Sequence, residues 1–320
     1  MQEIYRIMKI SGFSMAKNAD KLGYPVKEAV LSILPLVDEF VIAIGDCDED
    51  DPTRKLIEEI KSDKITIIDT VWDLEKYPRG MEHAHQSDIA KEKCTGDWLF
   101  YIQADEIVHE KHHDLIRRRC KELLDDKDVE GFVFDYLHFW GDFNHHHNSH
   151  NWYKKEIRIV RNDPDIHSWE SAQSFRRIPN FDGVFYRQQK NTFKLKVAEL
   201  EAEIYHYGWV RPPKIMRAKS KAFTIIHHGK RDAEEKEKKR HFDFNYGDLS
   251  KLEIFKGTHP EVMQNRIKKF DWGDDLKVFT KNRRNFKHER FRYKLVTFFE
   301  NKIFKRPIFA FQNYTILKGR

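Results

Sequence analysis

The chain is 320 residues long, with 40% hydrophobic and 34% charged residues, enough for one large domain or two under a well-solvated surface, and too varied for a low-complexity polymer. Its three cysteines, Cys47, Cys94 and Cys120, are odd in number and widely spaced, which excludes a disulfide framework and a CxxC metal site and points to a reducing compartment. Glu3, Arg6 and Lys9 interrupt the first apolar residues, so no signal peptide is expected, and no apolar run approaches the ~20 residues of a bilayer span. The net charge of +6 is uneven: Lys251 to Arg320 hold 18 Lys and Arg against 7 Asp and Glu, a net of +11, which leaves −5 for the first 250 residues. An acidic body with a basic tail follows, the tail able to meet an anionic partner.

Elements alternate from the start. Ile7 to Phe13 reads as a first strand, and Val26, Ala29, Val30, Ile33 and Leu34 form one apolar helix face after Tyr24-Pro25. Phe40 to Ile44 is an unbroken apolar run, the pattern of a strand buried on both faces, and it ends at Gly45-Asp46. A helix over Thr53 to Lys61, a strand over Ile65 to Ile68 and a helix over Glu82 to Cys94 lead to the strand Trp98 to Ile102, which ends at Gln103-Ala104-Asp105-Glu106. This alternation predicts an α/β fold with a mostly parallel, doubly wound sheet, whose ligands bind at the carboxyl ends of the strands. Gly131 to Phe139, Glu156 to Val160 and Ala202 to Val210 are later strands, with a His-rich loop at His145 to His150. Pro212-Pro213 breaks the chain, which predicts a domain over residues 1–212 and a helical, basic and aromatic extension over 213–320.

Two of these strand ends are acidic. A carboxylate there can hold a hard cation that bridges to a nucleoside diphosphate; the plain alternative for Asp105 and Glu106 is to cap a following helix. In the run Asp46 to Asp51, Asp46 stands nearest the strand and can accept hydrogen bonds from a base or ribose. The later acids read as a solvated turn favouring the next helix N-terminus.

Taken together, Ile10 to Asn18, Ser32-Ile33-Leu34, Asp38 to Asp46 and Gly96 to Glu106 resemble, in order and spacing, a family 2 glycosyltransferase of the GT-A fold, over roughly the first two thirds of the chain. The resemblance implies an inverting, metal-dependent enzyme that moves a sugar from a nucleotide-sugar to a hydroxyl. It implies a Mg²⁺ or Mn²⁺ ion, held by Asp105 with Glu106 beside it. Gln103 departs from the family's first Asp, which puts that nucleotide-sugar contact in doubt and keeps an inactive sugar-binding relative as an alternative. Lys17, Asn18 and Asp46 fall at nucleotide-contacting positions. Gly80, Gln86 and Asp88 fall in the helix before the metal strand.

An inverting transfer needs a general base. In the resembling enzymes that acid lies roughly 60 to 90 residues after the metal motif, which selects Glu170, beside Trp169, with Asp165 as the fallback. Trp169 could stack on a sugar or belong to the core. His206, in Tyr205 to Trp209, falls where the family often completes the metal shell; the alternative is a hydrogen-bonded core histidine. His145-His146-His147 lacks the partners of a zinc site.

The resemblance further implies a saccharide or lipid-linked acceptor, a cytoplasmic setting and surface polysaccharide or glycolipid synthesis. In the tail, Lys268-Lys269, Lys281 to Arg284, Lys287 to Arg292 and Lys305-Arg306 interleave with Phe286, Phe291, Tyr293, Phe298, Phe299 and Phe304. That pattern admits a peripheral membrane contact, a helical cap on the main domain, or nucleic-acid binding as the alternative function.

Overall fold

Phe40 to Ile44 cannot alternate between core and solvent, so the strand they form needs cover on both sides. In the computed structural model, which describes residues 7–239, 244–277, 286, 290–304 and 312–320, it has that cover. Strands β1 (Ile10–Ala16), β2 (Glu39–Ile44), β3 (Ile65–Asp69) and β4 (Trp98–Tyr101) alternate with helices α1 (Val26–Ile33), α2 (Thr53–Glu58) and α3 (Met81–Lys91). They lie in the order β3-β2-β1-β4, all parallel, with Ser11 opposite Glu39, Phe40 opposite Ile65 and Ile10 opposite Trp98. Successive side chains point to opposite faces. Ile10, Phe40, Ile42 and Phe100 meet Val26, Ala29, Val30 and Ile33 of α1, while Phe13, Val41, Leu99 and Tyr101 pack with Ala90 of α3.

The rest of the sheet is mixed. After β4 come β5 (Glu106–Val108), α4 (His113–Glu122), β6 (Gly131–Trp140), β7 (His145–His147), β8 (Lys155–Arg161), β9 (Ile166–Trp169), β10 (Ser174–Arg177) and β11 (Phe193–Trp209). The sheet continues β4-β8-β6-β11-β10-β9, with β8 antiparallel to both neighbours and β6 parallel to β11. The expected strand over Ala202 to Val210 is the second half of β11, whose first half also gains partners in β6 and β10.

Beyond Pro213 the chain forms α5 (Pro213–His228), α6 (Lys230–Lys238), β12 (Glu253–Ile254), α7 (Gln264–Lys268), α8 (Phe291–Phe298) and β13 (Tyr314–Ile316). The charged helix expected up to Arg240 breaks at Gly229, whose φ of 89° no helix accepts. The extension is not helical throughout: β13 lies parallel to β11, and β12 pairs with β7. The loop expected at His145 is thereby partly strand, its backbone groups satisfied from both sides by β6 and β12. Lys281 to Arg284, Lys287 and Lys305-Arg306 lie outside the described residues.

One buried ion pair ties β5 to β8. Arg158, 1% exposed, donates Nη2 to Glu106 Oε1 at 2.7 Å and Nε to Oε2 at 2.8 Å, and Glu106 is 0% exposed. The Tyr136 hydroxyl donates to Glu106 Oε1 at 2.8 Å, and Arg158 Nη1 donates to the Ile157 and Gln173 carbonyls. Removing one member leaves a charge uncompensated in low dielectric. Arg158→Met should therefore cost about 3–5 kcal/mol in urea unfolding, and adding Glu106→Gln should recover most of that loss.

Candidate active site at the strand carboxyl ends

Because β1, β2 and β4 run parallel, their carboxyl ends emerge on one edge, and the loops after them form one surface. Lys17 and Asp46 meet there: Lys17 Nζ lies 2.6 Å from Asp46 Oδ1, and the Trp72 N–H donates to the same oxygen at 2.9 Å. Burial would raise the Asp46 carboxyl, but Lys17 and that N–H outweigh it and hold it low. Asn18 has a φ of 50°, and its side-chain oxygen accepts from the Asp48 N–H at 2.8 Å, which fixes the loop beside Asp46.

Asp105 lies one residue before β5, 7% exposed, with its carbonyl accepting the Tyr207 N–H at 2.8 Å. Its Oδ2 is 3.6 Å from His206 Nε2 and 3.6 Å from Lys219 Nζ. Burial alone would raise this carboxyl, but His206, Lys219 and Arg211 together outweigh it and hold it far below the usual carboxylate range. Burial, then Arg211, drives the Lys219 ammonium down to about 7, partly offset by Asp105.

The tautomers of the neighbouring histidines follow from their partners. His138 Nε2 lies 2.8 Å from the Tyr153 carbonyl, which only accepts, so that nitrogen carries the proton. Burial, then His206, lowers the His138 pKa well below its ordinary value, so the ring is neutral and its Nδ1 is an acceptor. His206 Nδ1, 3.0 Å away, must then donate. With a proton on Nε2 as well, His206 is one of the cations that hold Asp105 low; without it, an Nε2 lone pair faces the carboxylate. Asp105 Oδ2 and His206 Nε2 thus converge, and the space between them exists because residue 208 is glycine. A Cβ there would lie 2.5 Å from Asp105 Oδ2 and 2.6 Å from His206 Nε2.

Arg211 adds charge beneath. It is 1% exposed, its Nη1 donates to the Leu22 carbonyl, and its guanidinium lies 4.5 Å over the Tyr24 ring. Its Nε and Nη2 make no hydrogen bond of ordinary geometry among the described residues. Two cations against one carboxylate suit a site that receives an anion.

Several sequence expectations land elsewhere. Glu106 is no ligand candidate: strand alternation turns it to the opposite side from Asp105, and Arg158 and Tyr136 occupy its oxygens. Gln103 Nε2 donates to the Ala172 carbonyl at 2.9 Å, tying the loop after β4 to the loop after β9. Gln86 is spent inside the protein on Glu82 (2.7 Å) and Thr70 (2.6 Å). Asp88 accepts from the Ser168 N–H (2.9 Å) and pairs with His167 (3.0 Å), pinning α3 to β9. Trp169 is buried, with Arg176 4.3 Å from its ring, so it is core.

Glu170 and Asp165 flank β9 at opposite ends, about 16 Å apart at ~3.3 Å per residue. Asp165 faces Arg177 at 3.5 Å, away from the Gln103–Ala172 tether. Glu170 sits two residues from that tether, at a φ of 56°, with Arg187 3.7 Å from its carboxylate. Beside it, Gly80 at a φ of 86° admits close approach of His227 and Ser171, and its N–H donates to the Ile226 carbonyl of α5.

Sequence reading missed Lys219, Arg211 and His138. For Lys219 a signal existed. Met216, Lys219 and Phe223 share one helical face, and a lysine on the face of a buried methionine is out of pattern.

No known family model matches the sequence, and no curated protein does. Among solved structures, the chain is similar to a mannosyltransferase, PcManGT, of Pyrobaculum calidifontis, in complex with GDP-Man and Mn²⁺, at 17% identity over 41% of this chain and 36% of that one, TM-score 0.31. It is similar to TarS of S. aureus at 14% identity over 68% and 65%, TM-score 0.34. A third is glucosyl-3-phosphoglycerate synthase of Mycobacterium tuberculosis, in complex with Mn²⁺, UDP and phosphoglyceric acid, at 18% identity over 40% and 43%, TM-score 0.28. The matched part spans less than two thirds of each of these proteins. Likeness at that level carries no weight for activity, which has to be argued from the side chains.

Proposed function

We propose that the chain is a glycosyltransferase that moves a sugar from a nucleotide-diphospho-sugar to a hydroxyl acceptor at the carboxyl edge of the parallel strands. The observation that carries this reading is the convergence of the Asp105 carboxylate and His206 Nε2 over the gap left by Gly208, with Lys219 and Arg211 behind it. The solved neighbours' complexes with GDP-Man or UDP and Mn²⁺ agree with that chemistry without deciding it.

A divalent cation fits the pair. Among the described residues no group of three or more His, Cys, Asp or Glu converges on one point, so the protein would offer two donors and leave the other positions to phosphate oxygens and water. Such an ion neutralises charge developing on the departing diphosphate. Asp105 and His206 would hold it, His138 fixes the His206 tautomer, and Lys219 with Arg211 would add positive charge for the diphosphate. Asp46 and Lys17 line the nucleotide end of the same edge. Gln103 holds the loop carrying Glu170, whose left-handed backbone marks a position fixed by its surroundings. Glu170 is the general base of an inverting transfer, taking the acceptor proton. The acceptor is a saccharide or lipid-linked hydroxyl, in surface polysaccharide or glycolipid synthesis on the cytoplasmic side of a membrane.

UDP, GDP and CDP, and their sugars, would be screened by thermal unfolding with and without Mn²⁺. One diphosphate at ~100 times its dissociation constant should stabilise the wild type by roughly 2.7 kcal/mol, a shift of several degrees lost on adding EDTA. Asp105→Ala should abolish it. So should Gly208→Ala, which fills the gap between the donors while keeping both. No shift with any nucleotide would sink the proposal. Glu170→Gln should bind the same nucleotide unchanged yet lose about 10²- to 10⁴-fold in transfer or donor hydrolysis. Full turnover in that variant would move the base elsewhere.

A further inference from the structure

Helix α8 and the π-helical turn that follows it, Phe299–Phe304, have their polarity inside out. The side facing the protein is polar. Thr297 Oγ1 accepts the His150 N–H at 3.0 Å, and Glu300, 1% exposed, pairs with His150 Nδ1 at 2.8 Å. Asn301 donates Nδ2 to the Asn148 carbonyl at 3.0 Å and accepts from Lys154 Nζ at 2.7 Å. The side facing out is apolar: Phe291 is 80% exposed, Phe298 55% and Ile303 55%, with Leu295, Phe299 and Phe304 beside them. A helix held by hydrophobic packing would show the reverse. Here polar contacts hold the helix in place and present its apolar stripe, and neighbouring exposed apolar side chains of this kind mark an interaction surface.

Arg290, Arg292, Lys294 and Lys302 are on the same element, within a segment whose net charge is +11. Exposed apolar residues flanked by cations match one occupant above others: an anionic bilayer surface, where the apolar side chains enter the acyl boundary and the cations meet headgroup phosphates. No helix among the described residues is long and apolar enough to cross a membrane, so the contact is in the interface plane. We propose that α8 and its π-helical turn dock this protein on an anionic lipid surface.

The loop that grips α8 also serves the site described above. Residues 148–154 hold Thr297, Glu300 and Asn301, and the Tyr153 carbonyl in that loop orients His138 and, through it, His206. Docking through α8 thus brings the Asp105 site within one loop of the lipid. That suits a lipid-linked acceptor, a clause that rests on the transferase reading; the docking itself does not.

The test is co-sedimentation of the full chain with vesicles of phosphatidylcholine alone and with about one third phosphatidylglycerol, at low and high salt. The wild type should pellet with the anionic vesicles only, and less so in high salt. Leu295→Ser with Phe298→Ser, both exposed, should cut partitioning at least tenfold while leaving the melting temperature and any nucleotide shift unchanged. Arg292→Glu with Lys294→Glu should do the same by removing the charge term. No partitioning of the wild type onto anionic vesicles overturns the proposal. So does a dimer in light scattering that the Leu295/Phe298 pair abolishes, since a second copy would then cover the face. Salt-sensitive oligonucleotide binding that replaces vesicle binding overturns it as well. Because vesicle binding needs no donor, its failure is distinct from failure of the transferase assay.

Discussion

The Glu106–Arg158 pair is the constraint on which the site depends. It lies between β5 and β8, with both groups sealed from solvent and the Tyr136 hydroxyl closing the remaining acceptor site. Burying a charge is costly unless its partner is close and its hydrogen bonds are satisfied. Once Glu106 is fixed on that side, strand alternation leaves Asp105 on the other, next to His206 on the paired strand β11. The pair therefore sets the direction of the neighbouring carboxylate without touching a ligand.

Around Asp105 the arithmetic of charge is lopsided. One carboxylate faces an ammonium and, farther back, a guanidinium with buried donors in no ordinary hydrogen bond among the described residues, and an imidazole whose tautomer is set by a second imidazole and a carbonyl. In low dielectric such an excess of donors is stable when an anion completes it. The depressed Lys219 ammonium expresses the same tension: burial and Arg211 push its proton off while Asp105 retains it. A nucleoside diphosphate bridged by a divalent cation would answer both the converging lone pairs and the surplus positive charge, and that is why the transferase reading is preferred to a plain structural ion cluster.

The same accounting of polarity distinguishes α8. Its inward hydrogen bonds give it a fixed attitude, and its outward side chains stay largely exposed. Basic and aromatic residues in the tail were compatible in sequence with a cap packed on the main domain. In that arrangement the aromatics would face in; over Phe291–Phe304 the phenylalanines face out, while Tyr293 stacks on His150.

By itself the sequence determined the α/β alternation, because uninterrupted apolar strands such as Phe40–Ile44 and one-faced helices such as Val26–Ile33 announce their own burial. It also determined that loops after β1, β2 and β4 would share an edge, since parallel strands must end together; Asp46 and Asp105 were legible on that ground, and Lys17 through the family resemblance alone. Which acid of the Asp105-Glu106 pair faces the site was decided only in three dimensions, by an arginine 52 positions away. Likewise Gln86 and Asp88 lie in the helix expected of them, yet partners on β9 and at Thr70 consume their hydrogen-bonding groups. Lys219, Arg211 and His138 stayed out of sight because each comes from a different segment, and a site gathered from β6, β11, the turn after it and α5 leaves no spacing in the chain to read.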